Sequence, residues 1–185
     1  MKVEEKTIGI IKDMIDGLIS DSIKFAGIEN TLDDFRVYID LEASEVAIMF
    51  LDGPDKDSWS GHLYELKDEK LEIIEYGAFD FVDISQWPCC NYKELNVTAM
   101  SLAVENGIKV GNRYRIDHLC SDNDREVLDI DFEKGEVTLK KCLYGTVGRH
   151  SPEPFTVSIK FVSEEIRREQ WYRWILIDKD RNDIK

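Results

Sequence analysis

The sequence predicts an α+β fold: antiparallel sheets of hairpins and meanders, about seven to eight strands in all, covered by two amphipathic helices. Three observations lead there. The hairpin over Glu126–Leu143 is the clearest. Leu128, Ile130 and Phe132 alternate with Asp129 and Asp131, the period of a strand with one buried face. Lys134-Gly135 gives a short turn in which glycine can take a positive φ. Second, the expected strands follow one another through turns too short for a parallel crossover, which disfavours a doubly wound nucleotide-binding sheet. Third, two segments repeat apolar residues every three or four positions, as a helix lying on a sheet must.

Taken in order, Thr7 to Phe25 forms the first helix, with Ile8, Ile11, Ile15, Leu18 and Phe25 in its stripe, Ile19 and Ile23 widening it, Thr7 as N-cap and Gly27 as a left-handed C-terminal residue. Phe35–Leu41 alternates, whereas Glu45–Leu51 is nearly continuous in apolar residues, as in a central strand buried on both sides. Glu42-Ala43-Ser44 makes the turn between them, and Asp52 to Gly61 is a loop. A second hairpin pairs His62–Leu66 with Leu71–Tyr76 around Lys67-Asp68-Glu69-Lys70. Gly77 to Pro88 is aromatic and irregular. Asn91 opens the second helix: it can cap, Glu94 stands where a capping box needs an acid, and Cys90 and Leu95 occupy staple positions. Leu95, Ala99, Leu102 and Ala103 form its buried stripe, and Asn106-Gly107 ends it.

A strand over Arg113–His118 precedes the clearest hairpin. Gly145 to Pro154 is a loop carrying Arg149 and His150. Phe155, Val157, Ile159 and Phe161 alternate as a strand, Ser163–Arg168 fits a helical turn, and Trp171–Ile177 reads either as a last strand, the preferred reading, or as continued helix grouping Trp171, Trp174 and Ile175. Two halves result, an acidic helix-plus-hairpins half at 1–88 and a helix-plus-meander half at 89–185, packed as one globular unit. Each passes from a helix to a related strand, Arg36-Val37-Tyr38-Ile39-Asp40 or Arg113-Tyr114-Arg115-Ile116-Asp117, a similarity too thin to establish a duplication.

Charge is the most unusual property. The net charge is −14, and residues 1–83 hold 21 Asp and Glu against 8 Lys and Arg, while 84–185 hold 17 against 16. Nearly all the excess therefore sits in the first half. Such a charge repels nucleic-acid phosphates and anionic membranes and attracts basic surfaces. The four cysteines, Cys89, Cys90, Cys120 and Cys142, are expected as reduced thiols in a cytoplasmic chain, since a body of this size needs no disulfide staples. The first residues carry acids and no signal-peptide core, and no run is long and apolar enough to span a membrane.

No Walker A, dinucleotide-binding, zinc-protease or serine-hydrolase motif occurs. His118, Cys120 and Cys142 could converge on zinc, but no C-x-x-C pair accompanies them, and cysteine is commonly a buried residue. Asp122, Asp124, Asp129 and Asp131 divide between a turn and the solvent face of a strand. Arg167, Arg168 and Arg173 interleave with Trp171, Tyr172 and Trp174, yet Glu164, Glu165 and Glu169 stand ready to pair with them. No catalytic residue, metal or cofactor is therefore expected.

The reading that follows is a non-catalytic acidic protein that docks on a basic protein surface, such as a nuclease or another nucleic-acid-binding protein, without binding nucleic acid or membrane itself. The expected contacts are Asp33, Asp34, Asp40, Glu42, Glu45, Asp52, Asp55 and Asp57, with Trp59 as an aromatic anchor. In class and charge, though not in sequence, the chain is similar to inhibitors that occupy nucleic-acid sites: DNA-mimicking anti-restriction and anti-CRISPR proteins, and immunity proteins that block toxic nucleases. Two alternatives stand beside it. One is an enzyme or small-ligand protein with a pocket near His118, Cys120 and His150. The other is a homo-oligomer associating through Trp87 and Trp171 to Trp174.

Overall fold

The computed structural model describes residues 3–52, 58–77, 91–117, 124–142, 153–169 and 172–178, with 180 and 182–184; the side chains at 52, 58 and 75–77 lie outside that description. The fold is α+β; among the described residues there are two antiparallel sheets of five strands each and three α-helices, against the expected seven to eight strands and two helices. The chain divides into two units, Val3–Ser101 and Leu102–Lys185. Among the described residues no helix is long and apolar enough to cross a membrane.

In the first unit, α1 (Glu5–Asp21) buries Ile8, Ile11 and Ile15 and lies against β4. Its strands are β1 (Phe35–Asp40), β2 (Glu45–Asp52), β3 (Ser58–Lys67), β4 (Lys70–Gly77) and β5 (Lys93–Leu95), in the order β4-β3-β2-β1-β5. β2 is central, and Val46, Ala47, Ile48 and Met49 are all buried, which is why its sequence shows no alternation. The β3–β4 turn places Asp68 and Glu69 at φ 46° and 63°, the left-handed pair that a two-residue hairpin turn needs. The next helix, α2 (Val97–Glu105), begins in this unit and ends in the second.

The second unit contains β6 (Arg113–Ile116), β7 (Asp124–Asp131), β8 (Glu136–Cys142), β9 (Phe155–Ser158), α3 (Ile159–Arg167) and β10 (Trp174–Ile177), with the sheet order β10-β6-β7-β8-β9. α3 carries the chain from the β9 edge to the β10 edge, and Phe161 meets Trp174 ring edge to face at 6.1 Å. Both sheets share one topology: a four-strand meander whose fifth strand returns antiparallel beside the first. The related segments begin equivalent strands. Val37 and Ile39 in one, Tyr114 and Ile116 in the other, are buried at matching positions.

Several boundaries differ from expectation. α1 starts two residues early, with Glu4 at the cap and Thr7 buried inside the helix. A π-helical turn, Ser22–Ala26, then rotates the stripe out of register, leaving Ile23 50% and Phe25 75% exposed. Gly27 ends it at φ 68° as foreseen. Strand begins at Ser58 rather than after Gly61.

Asn91 does not open α2. Its backbone N–H is taken by Asp40, Lys93–Leu95 pairs with β1, and the cap is Asn96, whose Oδ1 accepts from Ala99 N–H at 3.0 Å. The strand expected through Phe161 stops at Ser158, which caps α3 by accepting from Phe161 N–H at 3.1 Å. Ile159 and Val162 are buried there at helical spacing while Phe161 is exposed, so the apparent alternation was incidental. In β7 a bulge at Leu128 makes Val127, not Leu128, a core residue.

Candidate functional site

Strand parity sorts the first sheet into two faces, because residues directly opposite in antiparallel pairs share a face. One face carries Val37, Ile39, Val46, Ile48 and Tyr64, all buried. The other carries a smaller cluster, Ala47 and Met49 with Tyr38, Trp59, Leu63 and Tyr92 packed on them, and no α1 residue takes part in it.

At one end of this second face the registers of three hairpins coincide. Asp40 stands opposite Glu45, Glu45 opposite Glu65, and Glu65 opposite Glu72. Four carboxylates thus form a row across four adjacent strands, about 14 Å long at the usual strand spacing. Like charges directly opposite are unfavourable, so the row brings no folding benefit of its own. Asp40 and Glu45, at the β1 end of the row, are anchored locally. Asp40 is buried; its Oδ1 accepts from Glu42 and Ala43 N–H at 2.9 and 3.1 Å, and its Oδ2 accepts from Asn91 N–H at 3.1 Å. These donors, Ala43 foremost, hold its carboxyl below the ordinary range against the opposing effect of burial. Glu45 accepts from the Tyr92 hydroxyl at 2.5 Å. Glu65 and Glu72 are exposed and have no ion-pair partner among the described residues.

The residues expected to bind a partner divide by environment. Asp33 is exposed. Asp34 is buried, and its Oδ2 accepts from Thr31 N–H and Oγ1–H at 2.7 and 3.1 Å, closing the turn before β1. Glu42 is exposed and accepts from Asn91 Nδ2 at 3.2 Å. Trp59 packs on the second face with the Arg36 guanidinium 4.7 Å from its ring centroid. The Asp52 side chain, Asp55 and Asp57 lie outside the described residues. Sequence reasoning missed Glu65 and Glu72. The two-residue turn at Asp68-Glu69 was a usable signal, since it pairs Lys67 with Lys70 and therefore Glu65 with Glu72.

The second unit treats its equivalent face differently. Arg113 pairs with Glu126 at 3.4 Å and Arg115 with Asp183 at 2.9 Å. Arg173 lies 3.7 Å from Asp117, and α3 uses Arg167 to reach Glu105 at 2.8 Å and Arg168 to reach Glu165 at 3.1 Å. Cys142, a free thiol, sits 3.9 Å from the Glu126 carboxylate; burial first, then that negative charge, pushes it up and away from nucleophilic use. Among the described residues no three His, Cys, Asp or Glu side chains converge as a metal ion would require. His118, Cys120 and His150, like Trp87 and Trp171, lie outside the description. Compared with protein-family models, curated proteins and solved structures, the chain matches none.

Proposed function

We propose that this chain is a non-catalytic acidic binding protein that docks on a basic protein surface through the second face of its first sheet. The observation that carries the reading is the carboxylate row Asp40–Glu45–Glu65–Glu72, whose exposed members Glu65 and Glu72 set charge against charge. The same face holds Tyr38 and Tyr92 beside the row, with Trp59 six residues further along β3 under the Arg36 guanidinium. Carboxylates beside aromatic rings suit arginine and lysine, which accept both bidentate hydrogen bonds and ring stacking. The partner class that fits is a nuclease or another nucleic-acid-binding protein, because its basic site is built for regularly spaced negative charge. On this reading the chain acts as an inhibitor of the anti-restriction, anti-CRISPR or nuclease-immunity type, supplying carboxylates where phosphates would lie.

The test is capture from the source cell on immobilised wild-type chain and on the Glu65→Lys/Glu72→Lys variant, at low and high salt. A basic nucleic-acid-binding protein should be retained by the wild type at low salt, released by high salt and not retained by the variant. Equal retention by both chains refutes the reading.

A further inference from the structure

We propose that the partner meets this face by adding an extended segment to the free edge of β4, with a lysine or arginine of that segment directly opposite Glu72. The inference rests on the acidic-face reading and specifies how the face is engaged. Four strand edges close the two sheets, and they are unequal. β5 has three residues, β9 four, and β10 four, with Ile177 already bridged to Asp183. β4 has eight. Short or covered edges resist strand addition, whereas a long one offers a row of unpaired N–H and C=O groups. Among the described residues nothing pairs with the side of β4 facing away from β3.

The carboxylate row runs out at that same edge, with Glu72 as its last member. An added strand would bring its own residue to within about 5 Å of Glu72, and a cation there turns the terminal repulsion into an attractive cross-strand pair. Ile74, at the bulge and 51% exposed, adds apolar surface beside it. Charge also selects against a second copy of this chain as the occupant. Edge-to-edge pairing of two β4 strands would join two acidic rows and two strongly acidic halves.

The experiment uses the full chain and three synthetic probes: an alternating lysine–valine peptide, its glutamate–valine counterpart, and the lysine–valine peptide N-methylated at alternate residues. Binding is read by calorimetry and by amide hydrogen exchange. The lysine peptide should bind, protect residues 71–74 and lose about tenfold or more in affinity to Glu72→Lys, while the glutamate peptide stays unbound. N-methylation should abolish binding, because it removes backbone donors and leaves charge intact. If the methylated peptide binds as well as its parent, or protection falls outside β4, strand addition is overturned while the acidic face survives. If no lysine peptide binds, strand addition is again overturned, and the capture experiment alone judges the face. Protection of β4 through self-association without peptide overturns it as well.

Discussion

Replacing Glu65 by lysine should make the protein more stable while destroying its binding face. Glu65 stands directly between Glu45 and Glu72, so the substitution converts two repulsive cross-strand pairs into two attractive ones. Charges about 6 Å apart in a water-like dielectric interact by about 0.7 kcal/mol, roughly halved by physiological salt. Reversing the sign of two such pairs gives about 1 kcal/mol, and the new repulsion from Lys67 and Lys70, one step along the same face, takes back about half, leaving about 0.5 kcal/mol. A unit of this size should then unfold about 2–4 °C higher. Glu65→Gln removes the repulsion without adding attraction and should give about half of that. Thermal unfolding by circular dichroism at low and high salt checks both variants, and the difference from wild type should shrink as salt rises. A lysine variant no more stable than wild type at low salt would refute the row. A gain indifferent to salt would refute its electrostatic origin.

Three further outcomes follow from single sites. Asp40→Asn should cost about 1–3 kcal/mol, because a charged acceptor for three backbone N–H groups is lost. The Asp40 carboxyl is depressed in the folded state, so its contribution is full above the ordinary carboxylate range and lost as pH falls through the folded value; denaturant melts of wild type and variant should therefore converge in acid. His62 lies between Phe50 and Tyr64, ring centroids 5.5 and 6.2 Å away, and burial pushes its pKa down. The unfolded chain thus takes up the proton first, and stability should fall as pH drops below the ordinary histidine value; His62→Phe should flatten that part of the stability–pH curve. The Tyr114 hydroxyl is buried with no hydrogen-bond partner among the described residues, Asn112 lying near enough to oppose the upward push of burial without closing a bond. Tyr114→Phe should leave stability unchanged or raise it by up to about 1 kcal/mol, whereas Tyr114→Ala should cost about 3–5 kcal/mol, both read from urea melts.

Local chemistry explains which elements were legible. The hairpins at 62–76 and 126–142 carry alternation and turn residues within a few positions of one another, and no distant contact is needed to form them. Helix starts were less legible. Asn91 and Asn96 are equally good caps by sequence, and the choice falls to Asn96 because Asp40, 51 residues earlier, takes the Asn91 N–H. The segment after Phe155 reads as strand by alternation and as helix by the spacing of Ile159 and Val162; the Ser158 cap and the burial of those two residues decide for helix. The acid-rich stretch was visible as composition, but composition does not separate Asp34 and Asp40, spent on turns, from exposed carboxylates such as Glu42.

By itself, then, the chain determined its strand-rich character, the register across its tightest turns and the lopsided distribution of its charge, because each depends on neighbours a few residues apart. Two pairings of the carboxylate row were within that reach, Asp40 with Glu45 across one turn and Glu65 with Glu72 across another. The third, Glu45 with Glu65, joins residues 20 apart in numbering and was decided only by how β2 and β3 align in the sheet. Shifting that alignment by one residue would move every side chain of one strand to the opposite face. The row exists because tertiary packing of Val46, Ile48 and Tyr64 on the buried face holds the register that sets acid against acid on the other.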